Sequence, residues 1–194
     1  DPGYSHRYYV DGQLTVSDAH FGGSWKSILV GALGAGGKSV FGINVTDPRN
    51  PTVLWEFAHQ DLGFLLSRPQ IVRLQDGTWV AIFANGYESA RPVLGVPKTV
   101  GRMFIVRLSD GASLGDVAKL TVADQGVING LGAPAIRLRD GIADSAWVGD
   151  LAGNLWKYNL GLGVTAATAD SVKVAYNGSP LFTAVIAGIK QPIT

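Results

Sequence analysis

The sequence predicts an all-β fold, a β-propeller built from four-stranded antiparallel blades. Short apolar runs rich in Val, Ile, Phe and Trp alternate with clusters of Gly, Asp, Asn and Pro along the whole chain. No stretch carries the sustained apolar stripe of a helix. A unit made of a strand, a turn and an aromatic strand recurs about every 50 to 60 residues, and four-stranded repeats of this kind are typical of propeller blades.

The first predicted blade covers residues 10–60 and contains the runs QLTVSDAHF, WKSILVGAL, VFGINV and TVLWEFA. Alternation along the third run places Phe41, Ile43 and Val45 on one face. The second run is apolar at successive positions, which favours a central strand covered on both sides. The glycine-rich stretch 31–37 lacks the Lys-Ser/Thr pair of a phosphate-binding loop, so a hairpin is predicted there.

The second and third predicted blades cover residues 64–123 and 129–178. Blade two contains RPQIVRL, TWVAIFANG, MFIVRL and LGDVAKLTV, and blade three contains APAIRL, SAWVGDLAG, LWKYNL and VKVAYN. Their third runs repeat the pattern of blade one, so Phe104 and Trp156 take the position of Phe41.

Residues 179–194 begin with SPLFTAV, which is predicted to be the opening strand of a further blade. A closed propeller needs at least about four blades, so the chain is predicted to form part of a larger propeller. A β-sandwich is the alternative for an all-β chain of this length, but it does not explain why the same unit recurs.

Composition narrows the classes of function. Of the 194 residues, 46% are hydrophobic and 16% are charged, with a net charge of +1, so the chain can bury a core and nucleic acid is not an expected partner. The absence of cysteine excludes disulfides, thiolate metal sites and cysteine nucleophiles. The apolar stretches are shorter than the roughly 18 residues of a membrane span, and the first residues do not have the pattern of a signal peptide.

Several motifs occur in a fixed order along the chain: YVDGQLTV, GALGAGG, VTDP, LWEF, SRPQIVRL, WVAIFANGY, GLGAPAIRL, DSAWVGDLAGNLWKYNL and QPIT. A generic propeller would share the glycines and aromatics but not this combination. In order and combination, the motifs resemble the carboxy-terminal propeller domain of the PilY/PilC family. The resemblance covers nearly the whole chain, and the family's propeller is larger than this chain.

The resemblance implies a role in type IV pilus biogenesis and in adhesion. It implies an exported protein at the pilus tip, the cell surface or the outer membrane, with pilins or minor pilins and host or surface receptors as partners. It also implies support of pilus extension against retraction, hence twitching motility, together with surface attachment and surface sensing.

The resemblance further implies a place for a calcium loop between the first two strands of a blade. Calcium prefers about six to eight oxygen ligands. The matching positions are Ile136, Leu138, Asp140, Ile142 through its carbonyl, and Asp144. Because two of the side-chain positions are aliphatic, the resemblance implies a degenerate loop that binds calcium weakly or not at all, and a plain turn at Asp140 is the alternative.

The segment DLAGNLWKYNL also resembles the tryptophan-docking segment of quinoprotein propellers, in which the aromatic packs one blade against the next. A pyrroloquinoline quinone dehydrogenase would need a central calcium and polar channel ligands, and no such cluster is visible in the sequence. His6, His20 and His59 lie far apart, and no nucleophile elbow occurs. We therefore predict a non-enzymatic segment in which Trp156 is structural. A quinoprotein-like dehydrogenase propeller and an outer-membrane assembly scaffold are the alternatives.

Blade two differs from blade three in the connection between its second and third strands. Blade two carries GYESARPVLGVPKTVG, residues 86–101, where blade three has only LAGN. Long loops on rigid scaffolds are common sites of binding. This loop is predicted to contact a partner from one rim of the propeller through five residues: Tyr87, Arg91, Val93, Leu94 and Val96. A variable surface loop without a partner is the alternative.

Overall fold

The computed structural model describes residues 3, 5–88, 92–93, 96–97, 100–115, 119–123, 126–161 and 172–194.

Blade one is a four-stranded antiparallel sheet. Blade one consists of β1 Leu14–Phe21, β2 Ser24–Ala32, β3 Ser39–Asn44 and β4 Thr52–Ala58, paired in that order. The turn between β1 and β2 is Gly22-Gly23, with φ of 59° and 75°, and glycine adopts these positive values without the steric cost of a side chain.

The other described residues supply the remaining strands. They are β5 Gln70–Arg73, β6 Trp79–Ala84, β7 Pro92–Val93, β8 Val96–Pro97, β9 Met103–Arg107, β10 Ala135–Arg139, β11 Ile142–Gly149, β12 Asn154–Asn159, β13 Lys173–Val174, β14 Phe182–Thr183, β15 Val185–Ile186 and β16 Ile189–Lys190. The described helical segments are the 3-10 turns Gly34–Gly36 and Tyr176–Gly178. In this part of the chain no helix has the length and apolar character needed to cross a membrane. The all-β prediction is confirmed.

Blade two pairs β5, β6 and β9 in order. The run predicted as its fourth strand lies beside β9 in the described residues. The Leu114 N–H donates to the Ile105 carbonyl at 2.7 Å, and the Met103 N–H donates to the Leu120 carbonyl at 3.1 Å. These backbone bonds satisfy the outer edge of β9.

Blade three pairs β10, β11 and β12 in order. Two short strands share its outer edge, because β13 pairs with one end of β12 and β14 pairs with the other end. Residues 182–183 belong to the segment predicted to open a further blade, and they lie on this edge of blade three. The segment then forms the hairpin of β15 and β16.

Blade two lies between the other blades and is buried on both faces. In β6, Phe83 belongs to the core shared with blade one and Ile82 belongs to the core shared with blade three. In β9, Phe104 belongs to the core shared with blade one and Ile105 belongs to the core shared with blade three. Because side chains alternate across a strand, this burial on both faces explains why the sequence is apolar at successive positions from Trp79 to Ala84 and from Met103 to Val106.

The aromatic residues of the third strands in blades two and three face the blade that comes before them in the sequence. Trp156 packs in the core with blade two, and Phe104 packs in the core with blade one. In β3, Val40 packs toward blade two, so Phe41 points to the opposite face of blade one, where it is half-buried. The three blades therefore have one common orientation, as the repeat predicts.

The first strands of neighbouring blades are joined by side-chain bonds to proline carbonyls. The Thr15 hydroxyl of blade one donates to the Pro69 carbonyl just before β5. The Gln70 amide of blade two donates to the Pro134 carbonyl just before β10. These bonds bring the starts of β1, β5 and β10 to one place.

Candidate functional site

A buried polar residue follows the second strand in both blade two and blade three. Asn85 follows β6, Asp150 follows β11, and both have 0% exposure. The Asn85 N–H donates to the Arg102 carbonyl at 2.7 Å, and the Asp150 N–H donates to the Asn154 carbonyl at 2.9 Å. The two residues thus occupy equivalent positions, which we name the hub of each blade.

The hub of blade two ties that blade to the linker leading into blade three. The Asn85 Oδ1 accepts hydrogen bonds from the Arg102 N–H at 3.0 Å and from the Leu131 N–H at 3.1 Å. Its Nδ2 donates to the Val100 carbonyl at 2.8 Å. An amide side chain suits this position because it accepts and donates at once.

A buried ion pair lies beside the hub of blade two. Asp61, in the linker between blades one and two, accepts a hydrogen bond from the Arg102 guanidinium. Their residue exposures are 2% and 6%. The Arg102 Nε also donates to the Thr121 hydroxyl at 2.8 Å. The guanidinium therefore compensates the carboxylate in a place where an isolated charge would be costly.

The hub of blade three is a carboxylate held by N–H groups. Asp150 accepts from the Asn129 Nδ2 at 2.9 Å, from the Asn154 N–H at 2.7 Å and Nδ2 at 3.1 Å, and from the Trp156 Nε1 at 2.8 Å. Asn129 belongs to the linker between blades two and three. Charge-assisted bonds of this kind stabilise a buried anion and fix the geometry of its donors.

Trp156 and Tyr158 fill the core between blades two and three. Both side chains have 0% exposure. The Tyr158 hydroxyl donates to the Leu120 carbonyl at 3.2 Å, and burial raises the pKa of this phenol above its ordinary value. The indole of Trp156 bonds to the hub while its ring packs against blade two, so its contacts are those of a structural residue.

The predicted calcium loop is a tight hairpin between β10 and β11. Asp140 and Gly141 form its turn, with φ of 51° and 77°. The Arg137 Nε and Nη2 donate to the two carboxylate oxygens of Asp144 at 2.7 and 2.6 Å, and the Arg139 Nε lies 3.5 Å from it. The Arg137 side-chain hydrogen bond lowers the pKa of Asp144 below its ordinary value.

This donor set fits a calcium ion poorly. The side chains of Ile136 and Leu138 offer no oxygen, and both oxygens of Asp144 already accept from Arg137. A calcium ion at this place would also be repelled by the positive charges of Arg137 and Arg139. Weak or absent binding at Asp140, the Ile142 carbonyl and Asp144 stays a prediction.

The loop predicted to bind a partner is described only in part. Arg91 and Leu94 lie outside the described residues, and Val93 and Val96 pair with each other through the backbone of β7 and β8. Tyr87 is held at the start of the loop by a pair of backbone bonds with Phe64, at 2.7 and 3.2 Å. The role of these five residues in binding stays a prediction.

The start of the same loop is also tied to blade one. The Lys38 Nζ donates to the Glu88 carbonyl at 2.6 Å and lies 4.8 Å from the centre of the Phe64 ring. Lys38 follows the glycine-rich stretch of blade one, so two blades fix the point from which the loop departs.

The glycine-rich stretch receives the N-terminal segment of the chain. The Ala35 N–H donates to the Asp11 carboxylate at 2.8 Å. A Cβ at Gly36 would lie 1.6 Å from the Tyr9 carbonyl oxygen, so only glycine fits there. The stretch joins β2 and β3 as the sequence predicts, and its glycines serve this close backbone contact.

The hubs and the ion pair were not predicted from the sequence. A signal exists, because Asn85 and Asp150 each directly follow the second apolar run and precede a glycine turn. Asp61 and Arg102 lie 41 positions apart, and no local pattern relates them.

Comparisons with known proteins agree with this geometry. The PilY1 beta-propeller domain family matches residues 2–194. The type IV pilus biogenesis factor PilY1 of Pseudomonas aeruginosa strain PAO1 is 39% identical over 99% of this chain, and a PilY1 homolog of Xylella fastidiosa is 40% identical over all of it. The chain spans 17% and 14% of the lengths of these relatives.

A solved structure has the same fold. The crystal structure of the Pseudomonas aeruginosa PilY1 C-terminal domain superposes with a TM-score of 0.78 and 36% identity, covering 96% of this chain and 40% of that one. The repeated blades, their hubs and this superposition define the chain as a segment of a β-propeller. It belongs to the PilY1 β-propeller family.

Proposed function

We propose that this chain forms part of the propeller of a type IV pilus biogenesis factor and supports pilus extension. The observation that carries the proposal is the identity of 39% along the whole chain to a protein named as such a factor. The buried hubs and interblade bonds are consistent with a rigid scaffold that binds rather than catalyses. The proposed location is outside the cell, at the pilus tip, the cell surface or the outer membrane.

A domain exchange tests this proposal. The matching propeller segment of Pseudomonas aeruginosa PilY1 would be replaced by residues 1–194, and surface pili and twitching zones would be measured in a strain lacking its own PilY1. Pili and twitching are expected to return. An exchanged segment carrying Arg102→Met, which breaks the buried ion pair, serves as the control and should not restore them. A stable, exported exchange protein without pili would refute the proposal.

We further propose that residues 86–101 form the contact with a partner, either a pilin or minor pilin or a surface receptor, and so serve adhesion and surface sensing. The observation that supports this proposal is that the start of the loop is held by hydrogen bonds. Tyr87 pairs with Phe64 through the backbone, and the Lys38 Nζ donates to the Glu88 carbonyl. Fixing Tyr87 and Glu88 in this way lowers the ordering cost of binding at the start of the loop.

Deletion of residues 91–99 in the full-length protein tests the loop. Loss of attachment with normal protein levels is expected, and the pilus count shows whether the partner is a pilin or a receptor. A glycine-serine segment of equal length is the matched control, because it keeps the span and removes the side chains. Intact attachment and piliation in both variants would refute the proposal.

We also propose that the Arg137–Asp144 pair holds the β10–β11 hairpin in place of calcium. Its support is the bidentate bond between the guanidinium and both carboxylate oxygens. Thermal melting of the protein should be the same in excess calcium and in chelator. A higher melting temperature in calcium that Asp144→Asn abolishes would show that the loop binds the ion.

A further inference from the structure

A small cavity lies between the β1–β2 hairpin of blade one and the β5–β6 turn of blade two. Its volume is about 210 Å³, and the residues that line it include His20, Phe21, Thr78, Trp79, Arg107 and Ser109. Blade one contributes the end of β1, and blade two contributes the start of β6 and the end of β9. Phe21 and Trp79 also pack against the core that the two blades share, so the walls of the cavity are preformed.

Aromatic rings border this cavity. The ring centroid of Trp25 lies 6.1 Å from that of Trp79 and 5.5 Å from that of His20, both in edge-to-face geometry. Trp25 is 63% exposed, whereas Trp79 and Phe21 are half-buried. The Lys26 Nζ donates to the Phe21 carbonyl at 2.9 Å and lies 4.9 Å from the centre of its ring. Rings of both blades therefore hold an exposed indole beside the cavity.

Polar side chains of the cavity have hydrogen-bonding capacity that the described part of the chain does not use. The imidazole of His20 and the hydroxyls of Thr78 and Ser109 make no hydrogen bond with any described residue. His20 is exposed, and Thr78 and Ser109 are half-buried, so all three side chains are accessible to a ligand. A hydroxyl both donates and accepts, and so does a neutral imidazole. These groups suit a ligand that is rich in hydroxyl groups.

The charges around the cavity favour a neutral ligand. Arg107 is the charged residue that lines it, and the Arg107 Nη1 donates to the Asp110 carboxylate at 2.8 Å, so this guanidinium already has a counterion. Aromatic rings can bind a cation. A cation at this place would be repelled by Arg107 and by Lys26, which already lies over the Phe21 ring.

We propose that this cavity, together with Trp25, binds a neutral sugar, a single pyranose ring of a glycan. A pyranose carries C–H groups on its faces and hydroxyl groups on its edge. The exposed indole of Trp25 offers an apolar surface for one face, and Thr78 and Ser109 offer partners for the edge. The volume of about 210 Å³ is below the roughly 300 to 1,000 Å³ of pockets for drug-sized ligands, which suits one ring.

Ligand-observed NMR titration of the full-length protein tests the proposal. The probes are the methyl β-glycosides of glucose, galactose and N-acetylglucosamine. Sorbitol is the matched control probe, because it carries the hydroxyl groups of a hexose without a ring face, and choline tests for a cation site. The variants are Trp25→Ala, Trp25→Phe and Thr78→Val, with Tyr9→Ala as a control that removes another exposed aromatic ring. Thermal melting shows that each variant is folded.

At least one glycoside is expected to bind, with saturation transfer strongest at the hydrogens of one ring face, and sorbitol and choline are not. Trp25→Ala should weaken binding at least about 10-fold, Thr78→Val a few-fold, Trp25→Phe less than Trp25→Ala, and Tyr9→Ala not at all. Equal binding of sorbitol, binding of choline in place of the glycosides, equal effects of Trp25→Ala and Tyr9→Ala, or no saturable binding of any glycoside would overturn the proposal. These readouts do not involve pilus assembly, so they stand apart from the proposed function.

Discussion

The hubs of blades two and three occupy the same place in the repeat but carry different charges. Asn85 is neutral: it accepts hydrogen bonds from the N–H groups of Arg102 and Leu131 and donates one to the Val100 carbonyl. Asp150 is an anion that accepts four hydrogen bonds from N–H groups. Beside Asn85, the buried charge belongs to Asp61 and is matched by Arg102. The position therefore requires an oxygen acceptor for the start of the third strand, and the neighbouring groups decide its charge.

Blades two and three stabilise a buried carboxylate in two different ways. Asp61 relies on an opposite charge, so the loss of that charge leaves an uncompensated anion. Asp150 relies on oriented dipoles of amides and an indole, which divide its stabilisation among Asn129, Asn154 and Trp156. We expect the first arrangement to be more sensitive to a single substitution.

Replacement of Arg102 by Met should have the largest effect. It leaves Asp61 buried without a cation and is expected to lower the free energy of unfolding by about 3 to 5 kcal/mol. Urea unfolding measures the change. Arg107→Met is the control, because its pair with Asp110 is exposed and should contribute little. If both variants lose the same stability, the ion pair does not have the role assigned to it.

Replacement of Asp150 by Asn should have the next largest effect. The new side chain has the shape of the blade two hub, but its NH₂ group would face the donors of Asn129, Asn154 or Trp156. We expect a loss of about 2 to 3 kcal/mol in urea unfolding. The reciprocal Asn85→Asp should also destabilise, since the donor to the Val100 carbonyl is lost. Unchanged stability in either variant would mean that the hubs are interchangeable.

Replacement of Trp156 by Phe tests one donor to the hub. It removes the Nε1 bond to the Asp150 carboxylate and should cost about 2 kcal/mol. Trp55→Phe is the matched variant, because it removes a bond to the neutral Leu108 carbonyl and should cost about 1 kcal/mol. Equilibrium unfolding compares the two. A larger loss for Trp55→Phe would argue against a charge-assisted bond at the hub.

Replacement of Arg137 by Gln should have the smallest effect. Arg137 lowers the pKa of Asp144 below the ordinary value of 3.8, so the pair stabilises the fold above that value and ceases to do so as the pH falls through the lowered pKa. The variant should therefore be slightly less stable than the parent near neutral pH and equal to it in strong acid. Melting temperatures across this pH range measure the difference, and Arg139→Gln is the control. A difference that grows in acid would contradict the assignment.

Regular features of the fold could be predicted from the sequence, and the polar contacts could not. Alternation and the repeated aromatic residues Phe41, Phe104 and Trp156 predict the strands and their common orientation because these signals are local and periodic. The bond between Asp61 and Arg102 joins residues whose proximity depends on how two blades pack. The bidentate bond of Arg137 to Asp144 likewise depends on the register of the β10–β11 hairpin.

The side-chain bonds between blades have a consequence for how the chain folds. Thr15 and Pro69 are 54 positions apart, Gln70 and Pro134 are 64 apart, and Asn85 and Leu131 are 46 apart. Each bond closes a long loop, whose entropy must be lost before the contact stabilises anything. The hairpins within each blade close far shorter loops and are expected to form first, so docking of preformed blades should limit the rate of folding.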